Sequence, residues 1–316
     1  MKFSNGNWLM QEGVTAYSPA KVYESRISKD AVTLYVPHNH IRHRGDTLTG
    51  PVFTIELSSP MEDVIKVKMY HFKGVRQDGP QFQLNNENPA VQIHESEEVI
   101  TFRSGDLTAT VNKSQDWGMS FSNGEGFLTK TGFRNLGYLK VEGEGAFVKE
   151  QLHLSVDELI YGLGERFTPF IKNGQVVEIW NEDGGTSSEQ SYKNIPFYLS
   201  SRGYGVLVNH PEKVSFEVGS EKVTKVQFSV PGESLEYYII NGTDYKEVLS
   251  KYTQLSGKPG LPPAWSFGLW LTTSFTTNYD EETVSSFIDG MRERDIPLHT
   301  FHFDCFWMKG FNWCDF

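Results

Sequence analysis

The feature that most constrains the fold is a long series of short β-branched and aromatic runs, from residue 32 to about residue 240. Gly, Asn, Asp and Pro separate these runs, and helical periodicity is nearly absent among them, which predicts many short strands. Strands at such close spacing predict a large β-sandwich, and no fixed period indicates a propeller. The clearest runs are 32–36, 52–57, 64–72, 99–103, 107–111, 195–200, 204–208, 214–218, 226–230 and 235–240.

A helical pattern replaces the strand pattern after the last of these runs. Thr243 is a candidate N-cap. The spacing i, i+3, i+4 and i+7 predicts one apolar helix face. The side chains of that face are Tyr245, Val248, Leu249 and Tyr252.

Domain boundaries follow from the Gly- and Pro-rich stretch 257–263, which cannot hold regular structure. We predict a β-sandwich domain over 1–242, a helix with its linker over 243–263, and a second domain over 264–316.

The second domain has a strand, helix, strand order. An apolar run at 265–273, a helical pattern at 280–294 and a short run at 298–303 predict a β-α-β unit with parallel strands. Such a unit occurs in α/β barrels and in doubly wound sheets, and one unit does not decide between them. Because a lone unit exposes strand edges, and because the last residues are apolar and aromatic, we expect this domain to be incomplete at residue 316.

Composition restricts the partners. A formal net charge of -11 argues against nucleic acid or an anionic membrane as the main partner, since both require a basic face. No apolar run approaches the roughly 20 residues of a spanning helix. The first residues lack the apolar stretch of a signal peptide, so we expect a cytoplasmic protein. Two cysteines, Cys305 and Cys314, are too few for a disulfide framework.

Two motifs lie in the last part of the strand-rich region. Residues 161–167 contain two closely spaced glycines, but Phe167 stands where a dinucleotide site needs a third, so we predict a tight turn beside a strand. Residues 178–186 combine acids and Trp180 with glycines, which can present polar groups and an aromatic ring to a sugar. An ordinary solvated turn has the same composition.

Asp304 closes the short apolar run at 298–303. Barrel enzymes carry their chemistry on the loops after the strands, which makes this carboxylate a candidate site residue; a strand-end cap is the alternative. The aromatic residues that follow it suit stacking on pyranose rings or simple core packing. They are Trp307, Phe311 and Trp313.

Four segments carry a family resemblance. Residues 262–270 and 303–308 resemble the start of the catalytic barrel of glycoside hydrolase family 31, and residues 161–167 and 180–186 resemble that family's N-terminal sandwich. Within the family the chain most resembles the bacterial cytoplasmic α-xylosidases. The resemblance implies a mainly β fold: a galactose-mutarotase-like supersandwich, followed by the first β-α-β unit of a (β/α)8 barrel.

The resemblance also implies retaining hydrolysis by two carboxyl groups, a nucleophile and a general acid/base. Both are expected beyond Phe316, so no residue of this chain is assigned a catalytic role and the chain alone should be inactive. No metal or organic cofactor is implied, and the complete protein is expected to form a homo-oligomer. The implied substrate-binding residues are Asp183, Phe275, Asp304, Cys305, Phe306 and Trp313.

Phe306 bears on the substrate. The family's α-glucosidases commonly have Asp-Ile-Asp-Tyr-Met where this chain has residues 304–308, so Phe306 replaces an acid. A Phe leaves the C6 hydroxyl of glucose unpaired and crowds the hydroxymethyl group, whereas xylose lacks that group. The sequence therefore favours non-reducing-end α-xylosyl units. An α-glucosidase and a carbohydrate-binding or assembly module without catalysis are the alternatives.

Overall fold

The computed structural model describes residues 1–6, 9–74, 80–182, 188–312 and 314–315. It divides into two compact units, Met1–Gly257 and Lys258–Phe316. Within the described ranges, no helix is both long enough and apolar enough to cross a bilayer.

The first unit is built almost entirely from strands, and each of the ten runs predicted from the sequence is confirmed as one, with ends that differ by a few residues. In chain order the strands are β1 (Ser4–Asn5), β2 (Leu9–Met10), β3 (Val14–Tyr17), β4 (Glu24–Ile27), β5 (Ala31–Pro37), β6 (Val52–Met61), β7 (Val64–Tyr70), β8 (Val91–Glu95), β9 (Val99–Ser104), β10 (Leu107–Asn112), β11 (Met119–Asn123), β12 (Gly126–Thr131), β13 (Gly137–Val141), β14 (Gly145–His153), β15 (Ile160–Gly162), β16 (Val176–Ile179), β17 (Phe197–Ser200), β18 (Tyr204–Val208), β19 (Val214–Val218), β20 (Lys225–Pro231) and β21 (Ser234–Asn241).

Three large antiparallel sheets contain all of these strands except β1 and β2, which pair with each other. The eight-stranded sheet has the order β15-β17-β18-β21-β7-β6-β5-β4, the six-stranded sheet β16-β19-β20-β14-β13-β3, and the five-stranded sheet β12-β11-β10-β9-β8. Val67, Phe228 and Phe121, one from each sheet, belong to a single buried cluster. The predicted large β-sandwich is therefore confirmed.

Alternation along the strands explains this core. In β5 the side chains of Val32, Leu34 and Val36 are buried, while those between them are only partly covered. This period of two places one face of the strand on the core. By contrast, every residue of β18 and β19 is buried, as expected for strands covered on both faces.

Helix α1 (Tyr245–Ser256) follows β21 and packs on β18 and β21 of the first unit. The predicted N-cap, Thr243, is wrong by one residue: the Asp244 carboxylate accepts the Glu247 amide at 2.8 Å. Thr243 instead donates its own amide and hydroxyl to the Glu247 carboxylate. The Asp244 and Glu247 carboxylates thus both accept hydrogen bonds at the first turn of the helix.

The apolar face of α1 is also rotated from the predicted one. Val248 and Leu255 are buried, and Tyr252 stacks on Phe197 with ring centroids 4.2 Å apart. Two members of the predicted face, by contrast, are largely exposed: Tyr245 at 44% and Leu249 at 42%. The predicted face was wrong in part because Leu255, one turn further on, replaces the first-turn tyrosine in the contact with the sheet.

The second unit has the predicted strand, helix, strand order, with β22 (Trp270–Leu271), α2 (Glu281–Glu293) and β23 (Thr300–Phe301). The two strands are parallel, as predicted. The start of the apolar run at 265–273 is not strand, because Ala264–Phe267 form a 3-10 turn in which the Pro263 carbonyl accepts the Ser266 amide and hydroxyl.

Candidate functional site

The site is built at the carboxyl ends of β22 and β23. Because these strands are parallel, the loops that follow them leave the same edge of the sheet. Ser274 follows β22 and Asp304 follows β23, and the Ser274 hydroxyl lies 3.5 Å from Asp304 Oδ2. The topology therefore brings the carboxylate and the hydroxyl together at the edge where barrel enzymes bind their substrates.

Hydroxyl groups hold the loop that carries Ser274. The Tyr279 hydroxyl contacts Thr272 Oγ1 and donates to the Ser274 carbonyl, both at 2.9 Å. The Thr273 and Thr277 hydroxyls lie 2.6 Å apart. Ser274 itself has a φ of 49°, in the left-handed region that is costly for a residue with a Cβ. The loop conformation is thus fixed by a local network that offsets this backbone strain.

The two oxygens of the Asp304 carboxylate make different contacts. Its Oδ1 accepts the Cys305 amide at 2.7 Å and caps a 3-10 turn, Cys305–Trp307. The capping alternative considered from the sequence is therefore correct for one carboxylate oxygen. The second oxygen points to Ser274 over the longer distance, so capping and hydrogen bonding to a ligand can coexist on this side chain.

The Cys305 thiol lies next to this carboxylate. Loss of hydration and the neighbouring Asp304 charge raise the pKa of the Cys305 thiol, which keeps it protonated at neutral pH. Because the thiolate is the nucleophilic form, this shift makes the Cys305 thiol less reactive than an ordinary cysteine.

Phe275 and Phe306 form the apolar side of the site. Their rings meet edge to face, with centroids 5.7 Å apart and an interplanar angle of 76°. Phe275 remains 63% exposed and Phe306 37% exposed. We call these two rings, together with Cys305 and the Asp304 carboxylate, the barrel-end cluster. It combines one charged acceptor with an apolar wall, as sugar-binding surfaces do.

The structure thus brings together four of the six residues expected to bind substrate. Asp183 and Trp313 lie outside the described residues. Sequence reasoning missed Ser274 and Tyr279 as supporting residues, although the density of hydroxyl side chains in 272–279 could have indicated a bonded loop. Among the described residues, no group of three or more His, Cys, Asp or Glu side chains could hold a metal ion.

The motif at 161–167 forms a tight turn after β15, with Gly162 and Gly164 at φ values of 102° and 92°. A Cβ at Gly164 would lie 1.9 Å from the Lys193 carbonyl oxygen. The glycines are therefore required because this turn and the backbone at Lys193 approach each other closely.

Two family models match the chain. The Glycosyl hydrolase 31 N-terminal galactose mutarotase-like domain matches residues 54–217, and the Glycosyl hydrolases family 31 TIM-barrel domain matches residues 259–316. The first covers most of the sandwich and the second covers the barrel-end cluster.

Curated relatives extend this similarity over the whole chain. An alpha-xylosidase, XylQ, of Lactiplantibacillus pentosus is 52% identical over 99% of the chain, and an alpha-xylosidase of Emericella nidulans is 48% identical over 100% of it. The chain spans 41% and 43% of the lengths of these two relatives.

Solved structures support the fold. A dextranase of Flavobacterium johnsoniae complexed with isomaltotriose superposes with a TM-score of 0.76 at 23% identity, over 92% of the chain and 34% of that protein. An alpha-xylosidase from a soil metagenome complexed with xylose gives 0.68 at 16% identity, over 86% of the chain and 40% of that protein. With family models for both the sandwich and the start of the barrel, the chain belongs to glycoside hydrolase family 31.

Proposed function

We propose that the complete protein is a retaining α-xylosidase that removes non-reducing-end α-xylosyl residues, and that this chain provides its sandwich and the first wall of its sugar site. Similarity to two alpha-xylosidases along the whole chain supports this proposal. The observation that carries it is the barrel-end cluster, in which Phe306 lies in the turn that Asp304 caps and its ring packs on that of Phe275. Phe306 stands where an acid is common in the family's α-glucosidases.

The cluster suits a pyranose without a hydroxymethyl group. Asp304 Oδ2 would accept a sugar hydroxyl, while the Phe275 and Phe306 rings would cover the apolar C–H groups of the ring. Glucose would place its C6 hydroxyl against the Phe306 ring, which cannot donate or accept a conventional hydrogen bond, and would lose the hydration of that group. Asp183 and Trp313, which lie outside the described residues, stay part of the proposal as substrate-binding residues that the family resemblance implies.

Hydrolysis would use two carboxyl groups of the complete protein that are not assigned to this chain. The chain alone should therefore not hydrolyse 4-nitrophenyl α-D-xyloside. Clear turnover by the purified chain would contradict the proposal that the two catalytic carboxyl groups lie outside it. Calorimetry of the chain with xylose and isoprimeverose tests the rival function, a binding module. Tight binding by the isolated chain would favour that rival.

Substrate choice is tested on the complete protein by the ratio of kcat/KM for 4-nitrophenyl α-D-xyloside and α-D-glucoside. We expect the xyloside to be preferred by about 100-fold, the discrimination available when an apolar site meets one extra polar group. Phe306→Asp should narrow that ratio by about tenfold or more, whereas Phe133→Asp, at an exposed phenylalanine of the sandwich, should leave it unchanged.

An α-glucoside substrate is the second candidate. An alpha-glucosidase of Saccharolobus solfataricus is 32% identical over 55% of the chain. Equal kcat/KM values for the two glycosides, with no response to Phe306→Asp, would favour this candidate. A cytoplasmic location and a homo-oligomeric state are part of the proposal for the complete protein, and sedimentation of that protein tests the latter.

A further inference from the structure

A cleft of about 430 Å³ lies on the surface of the first unit, where three connections meet. They are the hairpin between β11 and β12, the turn between β17 and β18, and the start of α1. We call it the sandwich cleft. Its described lining residues all belong to the first unit, and none of them is part of the barrel-end cluster. The volume lies in the range of small-molecule sites, roughly 300–1,000 Å³.

Hydrogen bonds join the walls of the sandwich cleft. The Asn123 side-chain amide donates to the Asn241 side-chain oxygen at 2.9 Å, which links the hairpin to the end of β21. The Asn123 side-chain oxygen accepts the Glu125 amide at 3.0 Å, so the tip of the hairpin is held as well. The Gly242 amide donates to the Gly203 carbonyl at 3.3 Å and joins the other two walls. The cleft therefore exists before a ligand enters it, as is usual for small-molecule sites.

Two aromatic rings line the sandwich cleft and stay partly exposed. Phe127 in β12 is 42% exposed, and Tyr245 at the start of α1 is 44% exposed. Each has a second ring beside it: Phe127 has His153 at a centroid distance of 6.0 Å, and Tyr245 has Tyr161 at 6.3 Å. Rings held in this way offer flat apolar faces, on which the C–H groups of a pyranose can pack.

Polar side chains with unused hydrogen-bonding capacity line the same cleft. The Glu125 carboxylate has no hydrogen-bond or ion-pair partner among the residues that the structure describes. Asp244 accepts the Glu247 amide with one carboxylate oxygen, which leaves the other for a ligand. Arg202 contacts the buried Glu158 through its Nε, at 3.8 Å, and its two terminal nitrogens point to no acceptor within the described ranges. Because a sugar hydroxyl both donates and accepts, it can use carboxylate and guanidinium groups together.

The charges of the sandwich cleft disfavour ionic ligands. Two carboxylates, Glu125 and Asp244, stand against the single Arg202 guanidinium, which also has the Glu158 carboxylate nearby. An anion would therefore meet net negative charge, and a cation would meet the guanidinium. The start of α1 adds no anion site, because Asp244 caps it with a carboxylate. Acceptors and donors beside apolar ring faces suit a neutral ligand that carries many hydroxyl groups.

We propose that the sandwich cleft binds a neutral oligosaccharide. Its pyranose rings pack on Phe127 and Tyr245, and its hydroxyl groups bond to Glu125, Arg202 and Asp244. The charge and lining of the cleft favour a neutral polyhydroxyl ligand by themselves; that this ligand is an oligosaccharide rests on the proposed function. Because the cleft is open and covers its ligand only in part, binding is weak, with a Kd of about 1 mM.

Calorimetry of the purified chain with isoprimeverose, a disaccharide of xylose and glucose, tests this proposal. Tyr245→Ala and Phe127→Ala should each raise the Kd by about fivefold, since each removes one aromatic contact. Phe133→Ala, at an exposed phenylalanine outside the cleft, is the matched control and should bind as the wild type does. Sorbitol, a polyol without a ring, should not bind at the same concentration.

Glu125→Ala keeps the test decisive if loss of an aromatic side chain unfolds the chain. Glu125 is exposed at the tip of the hairpin, so its truncation should leave the melting temperature unchanged. The same variant should raise the Kd by about fivefold, because a charged acceptor is lost. An unchanged Kd in Glu125→Ala and in both aromatic variants would overturn the proposal.

Phe306→Ala separates the sandwich cleft from the barrel-end cluster. Loss of binding in this variant, with no response to Tyr245→Ala, would assign the sugar to the barrel-end cluster and overturn the proposal. Displacement of isoprimeverose by sulfate would show that Arg202 holds an anion, and would overturn it too.

The absence of any heat of binding at concentrations well above the expected Kd would have the same consequence. Micromolar binding that Tyr245→Ala weakens would support the cleft and also favour the rival function, a binding module. If the complete protein does not hydrolyse 4-nitrophenyl α-D-xyloside, the proposed function fails, while calorimetry of the chain still decides whether the cleft binds isoprimeverose.

Discussion

The two units of this chain differ in how each is stabilised internally. The first unit contains a continuous buried cluster drawn from its three large sheets. In the second unit, Thr273 is the one buried residue among those described, and α2 leaves Phe287 41% and Ile288 42% exposed. The sandwich therefore carries a core of its own, whereas the second unit carries the barrel-end cluster on a pair of two-residue strands with little burial behind it.

Separating the units should show this contrast most strongly. Residues 1–257 alone should fold cooperatively, with a melting temperature within a few degrees of that of the whole chain, because their core lies within the unit. Residues 258–316 alone should be unfolded, since so short a sheet is marginal in water without further packing. Circular dichroism during thermal unfolding measures both. A cooperative transition in the short piece would contradict the comparison.

The sandwich could be predicted from the sequence because its strands have the period-two pattern that one covered face imposes. Strands with weaker patterns were missed, among them β4, whose residues are mostly exposed, and β8. The buried face of α1 was predicted wrongly in part, because the spacing of its apolar residues fits two overlapping faces of a helix. The contact with Phe197, which selects between the two faces, is remote in sequence.

Apart from Asp304, the candidate site residues were predicted through the family resemblance. Asp304 stands out locally as an acid after an apolar strand, but its pairing with Ser274 depends on the parallel register of β22 and β23. Arg166 donates hydrogen bonds to the backbone carbonyls of Glu178 and Glu189, which lie 12 and 23 residues away. These bonds could not be predicted, because a backbone carbonyl leaves no pattern in a sequence. Side-chain chemistry can be predicted from residue types, whereas bonds to the backbone follow only from the fold.

Phenylalanine truncations sharpen the comparison at single residues. Phe228 is fully buried in β20 and meets the Tyr237 ring edge to face at 5.2 Å. Phe228→Ala should lower the free energy of unfolding of the sandwich by about 3–5 kcal/mol, the usual cost of such a cavity. Phe287→Ala in α2 should lower it by less than about 0.5 kcal/mol. Denaturant titration measures both, and similar losses would show that α2 contributes to the same core.

Glu150 should make the stability of the first unit depend on pH. Its carboxyl is buried in β14, where it accepts hydrogen bonds from Thr131, the Gln151 amide and Tyr237. Burial raises the pKa of Glu150 to about 6 from 4.5, and these hydrogen bonds limit the rise. Between those two values the folded state binds more protons than the unfolded state, so stability falls as pH rises through this window.

Removing the charge isolates this effect. Through Glu150, the free energy of unfolding should fall by on the order of 2 kcal/mol between pH 4.5 and pH 6.5. Glu150→Gln should abolish this part of the dependence of the unfolding free energy on pH. Denaturant unfolding at several pH values gives both slopes. Glu293→Gln, at an exposed acid in the last turn of α2, is the control and should leave the slope unchanged. Parallel curves for the wild type and Glu150→Gln would refute the assignment.

Substitutions at the two helix N-caps should change the free energy of unfolding least, and they are the most closely matched pair of variants. Asp244 caps α1 and Asp280 caps α2, each by accepting the amide three residues further on, at 2.8 and 2.9 Å. Asp244→Ala should lower the unfolding free energy of the sandwich by about 1 kcal/mol, because α1 packs on its sheet through Val248. Asp280→Ala should leave sandwich unfolding unchanged and only speed amide exchange in the first turn of α2. Equal losses of sandwich stability would mean that α2 is coupled to the core as firmly as α1, and the contrast between the units would then lie in side-chain burial alone.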